Sequence, residues 1–201
     1  GITGALMVHE LCSAGLRCCM VDKRSIATGS SIASTALLQY EIDVPLFIED
    51  TQIKEIVFDV RKEKNPCSLC ANLRRGILNS SAIAHDCNKI ALGHNEDDVL
   101  ETFFLNLLYA GNLSTFAPIS YMDRSKITLI RPMVYIPEKE VRKFVRRQGI
   151  EVMPKVCPMD GVSKRESIKE LISKLVIEIP TVRANIMGAI RRSNINGWKE
   201  F

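Results

Sequence analysis

Apolar residues recur at helical spacing in the second half of the chain. In EDDVLETFFLNLLYAG the apolar positions lie three or four residues apart, and Gly111 follows as a stop signal. The same spacing begins after Ser163, which together with Glu166 matches a capping box. We therefore predict helices over 96–111 and from residue 163 onward. The apolar positions expected to face the core are Leu100, Phe103, Phe104, Leu107, Leu108, Ile168, Leu171, Ile172 and Leu175.

Short apolar runs alternate with helical patterns between residues 53 and 192. The order strand, helix, strand, helix is typical of an α/β protein with a parallel sheet. The predicted strands cover 53–60, 89–94 and 126–130, and the further predicted helices cover 67–86, 137–149 and the stretch from Pro180 to Arg192.

The first 46 residues have a different pattern. GITGALMVHELCSAGLRCCMVDKR combines a glycine turn, an apolar helix over 5–13 and a strand over 17–21. Glycines at a helix start let the backbone approach a pyrophosphate, and an acidic residue about 20 positions later can accept a ribose hydroxyl. Gly1, Gly4 and Asp22 are therefore candidates for a residual dinucleotide-binding turn of a Rossmann-type βαβ unit. FAD itself is not expected, because the first glycine of the complete fingerprint is absent from the sequence.

Charge is distributed unevenly along the chain. Residues 1–46 carry three Lys or Arg against four Asp or Glu, whereas 47–201 carry twenty-four against nineteen. The pattern fits either a solvated helix surface or a surface that binds a polyanion. No apolar run approaches the roughly 20 residues of a membrane helix, and no secretory signal is visible, so we expect a cytoplasmic protein without membrane contact. The clustered cations are Arg142, Lys143, Arg146, Arg147, Lys164, Arg165, Arg191 and Arg192.

Seven cysteines are an odd number, which argues against a disulfide framework and favours thiol or metal chemistry. Cys67 and Cys70 form a CxxC pair at a helix start, and Cys157 precedes another helix, where thiolates are favoured. The pair by itself permits a redox couple, a zinc site or an iron-sulfur cluster. His85 or His94 could complete a zinc site.

GHNEDD, residues 93–98, follows a predicted strand and opens a helix. The carboxyl ends of strands in an open α/β sheet are where ligands bind. His94, Asp97 and Asp98 are therefore candidates for binding magnesium, ribose or phosphate. The alternative is that Asn95 or Asp97 only caps the helix.

Five motifs in order, CSLCANLRRGILN, GHNEDDVLETFFLNLLYAG, IRPMVYI, CPMDGVSKRESIKEL and NINGW, closely resemble tRNA 2-thiocytidine synthetases. The resemblance runs from about residue 47 to residue 198. It implies a PP-loop (adenine nucleotide alpha hydrolase-like) fold and ATP- and magnesium-dependent sulfur transfer to C2 of an anticodon-loop cytidine. It also implies that tRNA and a sulfur donor of the cysteine desulfurase type are partners, and that a homodimer is one expected assembly.

The resemblance further assigns roles to residues of the motifs. A four-iron four-sulfur cluster would lie on Cys67, Cys70 and Cys157, and Arg74 would point toward the active site. Asp97 and Asp98 would lie on the nucleotide side of the pocket. Basic residues of the later helices would contact tRNA phosphates.

Residues 1–46 do not fit that family. GITGALMVHEL, VDKR and TGSSIASTALLQYEIDVPL resemble the start of FAD-dependent oxidoreductases of the D-amino-acid oxidase and glycerol-3-phosphate dehydrogenase type. The loop SGGxDS, which defines PP-loop enzymes, is not in the sequence, and TGSSIAS (28–34) is the nearest string. We therefore predict an FAD-binding-like fragment over 1–46, a truncated sulfurtransferase-like domain over 47–201, and weak ATP binding.

The leading fragment is too short to form its own core, so we predict that it packs poorly. A continuous sheet across residue 46 would contradict that expectation. The functional alternatives are a fragment of an FAD-dependent oxidoreductase and a non-catalytic zinc-dependent nucleic-acid module.

Overall fold

The structure is a computed structural model that describes residues 20–23, 46–62, 65–149, 157–159, 161 and 163–200. The predicted glycine turn at Gly1 and Gly4, the predicted helix over 5–13 and the TGSSIAS string lie outside the described residues. The strands are β1 (Met20–Lys23), β2 (Leu46–Glu49), β3 (Lys89–Ala91), β4 (Ile119–Met122) and β5 (Ile127–Ile130). The α-helices are α1 (Pro66–Ala84), α2 (Glu96–Ala110), α3 (Glu138–Arg147), α4 (Lys164–Glu178) and α5 (Val182–Arg192), and shorter helices cover Glu55–Arg61 and Ile195–Glu200.

A three-stranded sheet in the order β3, β5, β4 supports the second half of the chain. β3 and β5 are parallel, with Ile90 opposite Leu129, which confirms the predicted α/β class. β4 was not predicted; it forms an antiparallel hairpin with β5 through a turn over 123–126. The carboxyl ends of β3 and β5 and the amino end of β4 therefore meet at one edge of the sheet.

The predicted strand over 53–60 is wrong, because this segment is helical and is wound as a π-helix over Glu55–Arg61. Ile53 and Val57 are fully buried, and Ile56 is half-buried. These positions are three and four residues apart, which is helical rather than strand spacing.

The leading fragment is expected to pack poorly, and this expectation is wrong for β1, the strand of that fragment that the structure describes. β1 pairs in parallel with β2, and Met20 lies opposite Leu46, so a two-stranded sheet crosses the predicted junction. β2 in turn contacts α1. Ser81 Oγ donates to Glu49 Oε1 at 3.0 Å, and the rings of Phe47 and His85 stack.

The main core lies where α2, α4 and α5 meet. Leu100 and Trp198 are fully buried there, and each large apolar side chain removed from water contributes about 1.5–3 kcal/mol. The predicted stripes of α2 and α4 are confirmed except at two residues of α2: Leu107 is half-buried but does not belong to the core cluster, and Leu108 is exposed. None of the helices in the described ranges has the length and apolar character that a membrane span requires. The buried cluster comprises Val99, Leu100, Phe104, Val134, Ile168, Ile172, Met187, Ile190 and Trp198.

Helix α2 is capped at both ends by local sequence. Asn95 Oδ1 accepts from the Asp98 amide at 3.1 Å, and Asp98 Oδ2 accepts from the Asn95 amide at 2.9 Å, which is a reciprocal capping box. Gly111 ends the helix at φ 62°, as predicted. The box predicted at Ser163 does not form, because the Ser163 side chain makes no capping hydrogen bond.

Candidate functional site

Three side chains converge where the carboxyl ends of β3 and β5 meet the amino end of β4. His94 follows β3, Arg131 follows β5, and Phe116 precedes β4. Backbone hydrogen bonds fix the edge: the Leu92 amide donates to Ile130 O at 2.8 Å, and the Arg131 amide donates to Pro118 O at 3.0 Å. We call His94, Phe116 and Arg131 the strand-end cluster.

Phe116 is the centre of the strand-end cluster. The His94 ring lies 4.8 Å from the Phe116 ring, centroid to centroid, and the Arg131 guanidinium carbon lies 5.0 Å from the same centroid. Trp198 Nε1 donates to Phe116 O at 2.9 Å, which ties the cluster to the buried core. The His94 imidazole and the Arg131 guanidinium therefore both lie against the Phe116 ring.

Arg131 carries a charge that the described residues do not balance. Its Nη1 donates to the Ala117 carbonyl and to Ser120 Oγ, the latter at 3.3 Å. Its Nε is buried without a hydrogen-bond partner, and Arg131 forms no ion pair within the described ranges. Burial and the positive charge of Arg75 lower the pKa of Arg131.

His94 is a half-buried imidazole whose Nδ1 has no hydrogen-bond partner in the described part of the chain. Burial lowers the pKa of His94 below its ordinary value of 6.5, and the charges of Arg131, Arg165 and Arg74 act in the same direction. Asp98 opposes them but does not reverse the shift. The imidazole is therefore neutral at pH 7.

Arg74 is exposed on α1, and its charge contributes to the lowered pKa of His94. Cys67, Cys70 and Arg74 lie at positions i, i+3 and i+7 of α1, which is one face of a helix. Cys67 is exposed and Cys70 is half-buried. Among the described residues, no side chain forms a capping hydrogen bond at the start of α1.

Cys157 is exposed and stands apart from this face. Within the described residues, which include Cys67, Cys70 and Cys157, no group of three or more His, Cys, Asp or Glu is placed to hold a metal ion. The structure therefore does not gather the three predicted cluster thiols. His85 stacks on Phe47 instead of joining them.

The acidic residues after His94 make structural contacts. Asp97 Oδ2 accepts from the Glu138 amide at 2.7 Å, and Asp97 Oδ1 lies 2.8 Å from Arg183 Nη1. Burial alone would raise the pKa of Asp97, but these hydrogen bonds and the Arg183 charge lower it. Asp97 thereby joins α2 to the starts of α3 and α5. We call the whole network the acidic seam: Glu96, Asp97, Asp98, Glu101 and Glu138 with the cations Arg165, Lys169 and Arg183.

Glu101 is the most deeply buried carboxylate of the acidic seam, at 3% exposure. Arg165 Nη1 donates to Glu101 Oε2 at 2.7 Å, and Lys169 Nζ lies 3.9 Å from Glu101 Oε1. Burial raises the pKa of Glu101 in spite of both cations. Relative to the protonated form, the ionised form of Glu101 is therefore less stable here than in water.

Some of the cations predicted to bind a polyanion are already paired. Arg142 lies 2.7 Å from Glu138, Lys143 lies 2.8 Å from Glu140, and Arg165 belongs to the acidic seam. Others remain exposed or lie on aromatic rings. These are Arg146, Arg147 and Arg192 on the surface, Lys164 over Tyr109 and Arg191 over Tyr135.

Sequence reasoning missed Arg131, Phe116, Glu101 and Arg183. A signal existed only for Arg131, because it directly follows a strand that was predicted to end at residue 130. Phe116 precedes a strand that was not predicted. Glu101 pairs with Arg165 across 64 residues, and Arg183 pairs with Asp97 across 86 residues. No local sequence pattern predicts such distant pairs.

Comparisons with known proteins identify the family and the fold. The model of the PP-loop domain family matches residues 34–175. A tRNA-cytidine(32) 2-sulfurtransferase of Syntrophotalea carbinolica is 41% identical over 142 residues, which are 70% of this chain and 54% of that protein. The corresponding protein of Geobacter metallireducens is 39% identical over 140 residues, covering 66% of this chain and 54% of the relative. The chain thus spans about half the length of the curated relatives that it matches.

A solved structure shows the same fold. It is the U34-tRNA thiolase NcsA from Methanococcus maripaludis with its [4Fe-4S] cluster, at 22% identity and a TM-score of 0.71, covering 95% of this chain and 66% of that one. These matches confirm the predicted resemblance and the adenine nucleotide alpha hydrolase-like fold. The family match begins at residue 34, before the predicted boundary at residue 46, and that boundary stays a prediction. Because the match covers more than half of its residues, the chain belongs to the PP-loop domain family.

Proposed function

We propose that this chain acts in tRNA thiolation, as part of an enzyme that uses ATP to transfer sulfur to C2 of an anticodon-loop cytidine. The observation that carries this proposal is the 41% identity over 142 residues to a tRNA-cytidine(32) 2-sulfurtransferase. The matching relatives share that activity by name.

The residues at the carboxyl ends of β3 and β5 support nucleotide binding. Open α/β sheets bind ligands at the carboxyl ends of their strands. His94 follows β3 at this edge, and the charges of Asp98 and Arg74 both act on it. We propose that His94 and Asp98 face the nucleotide and its magnesium ion. Asp97 is also a candidate, although its carboxylate already holds Glu138 and Arg183.

A four-iron four-sulfur cluster on Cys67, Cys70 and Cys157 is a further proposal. Thiolates are the ligands that such clusters take, and the donor chemistry of the three side chains is therefore suitable. Their arrangement in the described residues does not fit a cluster, since the three thiols do not form a metal-binding group. A cluster would require Cys157 to approach the face of α1 that carries the CxxC pair.

The exposed cations are the proposed tRNA surface. Arg146 and Arg147 lie in the last turn of α3, and Arg191 and Arg192 in the last turn of α5. Phosphate contacts of this kind set affinity and salt dependence without reading sequence. A sulfur donor of the cysteine desulfurase type would act together with this surface, and assembly as a homodimer and a cytoplasmic location belong to the same proposal.

The direct test is an anaerobic thiolation assay on the purified chain, with ATP, magnesium, sulfide and tRNA. Mass spectrometry of the digested nucleosides should show 2-thiocytidine, and iron and sulfide analysis should show a bound cluster. Cys157→Ala should lose iron, whereas Cys87→Ala, a matched change outside the proposed ligand set, should keep it. Absence of both 2-thiocytidine and iron from the wild type would contradict the proposal. Zinc that persists in air would instead favour a zinc-dependent nucleic-acid module.

A further inference from the structure

We propose that Tyr135 and Arg191 form a stacking platform for an unpaired nucleobase of the substrate RNA, beside the strand-end cluster. This inference rests on the proposed function and deepens it, because it assigns two residues that hold a base of the RNA rather than a phosphate. The ligand class is an unpaired base of the anticodon loop.

Tyr135 is an aromatic side chain that remains exposed although it lies in an anchored turn. The turn over 132–135 follows β5, and the Val134 amide donates to Arg131 O at 3.3 Å. Met133 and Val134 are buried in this turn, whereas Tyr135 is 44% exposed. The backbone beneath the Tyr135 ring is therefore held in place, and the ring itself is accessible to a ligand.

Two neighbouring side chains orient the Tyr135 ring. The buried Trp198 indole packs against it in a T-shaped arrangement, with 5.7 Å between the ring centroids and 89° between the ring planes. The Arg191 guanidinium carbon lies over the Tyr135 ring, 5.7 Å from its centroid, which is a cation–π distance. A ring that is oriented before binding loses little conformational entropy when a ligand stacks on it.

Arg191 adds a second flat group and a positive charge to the platform. It lies in the last turn of α5, it is exposed, and it forms no ion pair within the described ranges. Nucleobases stack on aromatic rings and on arginine guanidinium planes, and every base has a face that can do so. An exposed tyrosine with an arginine over its ring therefore suits a base together with the negative charge of its RNA backbone.

The position of Tyr135 places the platform beside the strand-end cluster. Trp198, which packs against the Tyr135 ring, also donates from Nε1 to Phe116 O at 2.9 Å. The Ile136 carbonyl accepts from the Glu96 amide at 3.1 Å, so the residue after Tyr135 is bonded to the start of α2. A cytidine that is activated with ATP has to lie next to the nucleotide, and Tyr135 follows the strand edge at which we propose that the nucleotide binds.

Tyr109 is a second exposed tyrosine with a cation over its ring. It is 51% exposed, and Lys164 Nζ lies 4.5 Å from its ring centroid. Tyr109 is nevertheless at the far end of α2, roughly 20 Å from the start of that helix at a rise of about 1.5 Å per residue. It has the same chemistry in a place remote from the strand-end cluster and is therefore a matched control.

The test is equilibrium binding of a synthetic anticodon stem-loop RNA to the wild type and three variants, measured by fluorescence anisotropy. Tyr135→Leu should weaken binding by about tenfold, because the stacking of one base on an aromatic ring is lost. Tyr135→Phe keeps the ring and should bind as the wild type does, and so should the control Tyr109→Leu. The loss for Tyr135→Leu should be the same at low and at high salt, since the substitution removes no charge.

A second series removes the base instead of the ring. Abasic substitutions are placed one at a time in the loop of the same RNA. One of them should weaken binding to the wild type about as much as Tyr135→Leu does, and it should cost Tyr135→Leu nothing further, because the two changes remove the same contact. The wild-type part of this series does not depend on the folding of any variant.

Equal affinity of the wild type and Tyr135→Leu would overturn the inference and leave the proposed function intact. The same conclusion would follow if no abasic substitution weakened wild-type binding, or if Tyr135→Phe lost as much affinity as Tyr135→Leu. A Tyr135→Leu loss that persists after a complementary strand has paired the loop bases would also overturn it. A wild type that binds no stem-loop RNA would overturn both the stacking platform and the tRNA substrate of the proposed function.

Discussion

The acidic seam and the strand-end cluster lie next to each other, but they differ in the pairing of their polar side chains. In the acidic seam every named carboxylate lies within 4 Å of a cation, as Asp97 does with Arg183 at 2.8 Å. In the strand-end cluster, the described residues provide neither a carboxylate for Arg131 nor a hydrogen-bond partner for His94 Nδ1. Paired charges hold elements together, whereas unpaired ones are available to a ligand.

This difference separates two readings of GHNEDD that the sequence could not distinguish. Asn95 and Asp98 cap α2, and Asp97 connects α2 with α3 and α5. His94 belongs to the strand-end cluster, where its Nδ1 has no hydrogen-bond partner among the described residues. The motif therefore serves the fold through Asn95 and Asp97, and a ligand site at His94 stays a prediction.

The largest expected effect comes from breaking the acidic seam at Asp97. Asp97→Ala removes the acceptor of the Glu138 amide and leaves Arg183 with Glu96 alone. We expect a loss of about 2 kcal/mol in the free energy of unfolding, because Arg183 and the Glu138 amide each lose a half-buried contact. Urea denaturation at pH 7 measures this. Asp123→Ala, in the exposed β4–β5 turn, is the control and should be nearly neutral. A small loss for Asp97→Ala would mean that the seam contributes little to stability.

A smaller effect is expected from weakening the strand-end cluster at Phe116. Phe116→Leu keeps an apolar side chain but removes the ring on which Arg131 and His94 lie. The expected loss is about 1 kcal/mol, from cation–π and aromatic contacts together. The same urea series measures it, and the exposed Phe144→Leu should show no loss. If Phe116→Leu unfolds like the wild type, the ring does not position its neighbours.

Titration of His94 is expected to make the free energy of unfolding depend on pH. Its folded-state pKa lies below 6.5, so the unfolded chain binds the proton more readily between those two values. The contribution to stability is complete above pH 6.5 and is lost as the pH falls through the folded pKa. His94→Gln should flatten the stability profile between pH 7.5 and pH 5.5. Direct titration of the imidazole by NMR gives the same answer, and a pKa above 6.5 would refute it.

The smallest change in stability is expected at Glu101. Its dependence on pH is opposite to that expected for His94. Burial raises the pKa of Glu101 above its ordinary 4.5, so its contribution to stability falls as the pH rises from 4.5 through the folded pKa. Glu101→Gln should therefore be as stable as the wild type at pH 7, or slightly more stable, although Arg165 loses an ionised partner. Unfolding at pH 4 and pH 7 tests this. A marked loss that appears only at pH 7 would show that the pair with Arg165 outweighs burial.

The sequence predicted the helices more reliably than the strands. α2 and α4 were found because their apolar residues repeat over fifteen positions each. The strands are only three or four residues long, and β4 offers just ISYM. A run that short has no period to read. The segment over 53–60 is longer, and its prediction as a strand is wrong because Ile53, Ile56 and Val57 have helical spacing, which the richness in Val and Ile obscures.

The local sequence determined the helices, the capping box of α2, the CxxC pair at the start of α1 and the motifs that place the chain among PP-loop proteins. Each of these depends on residues within a few positions of one another. Only the tertiary structure decided which charges are paired. Arg183 meets Asp97 across 86 positions, and Arg131 meets Phe116 only because β4 turns back along β5. Pairing depends on distances in space, and a linear pattern carries no information about them until the sheet and helices have packed.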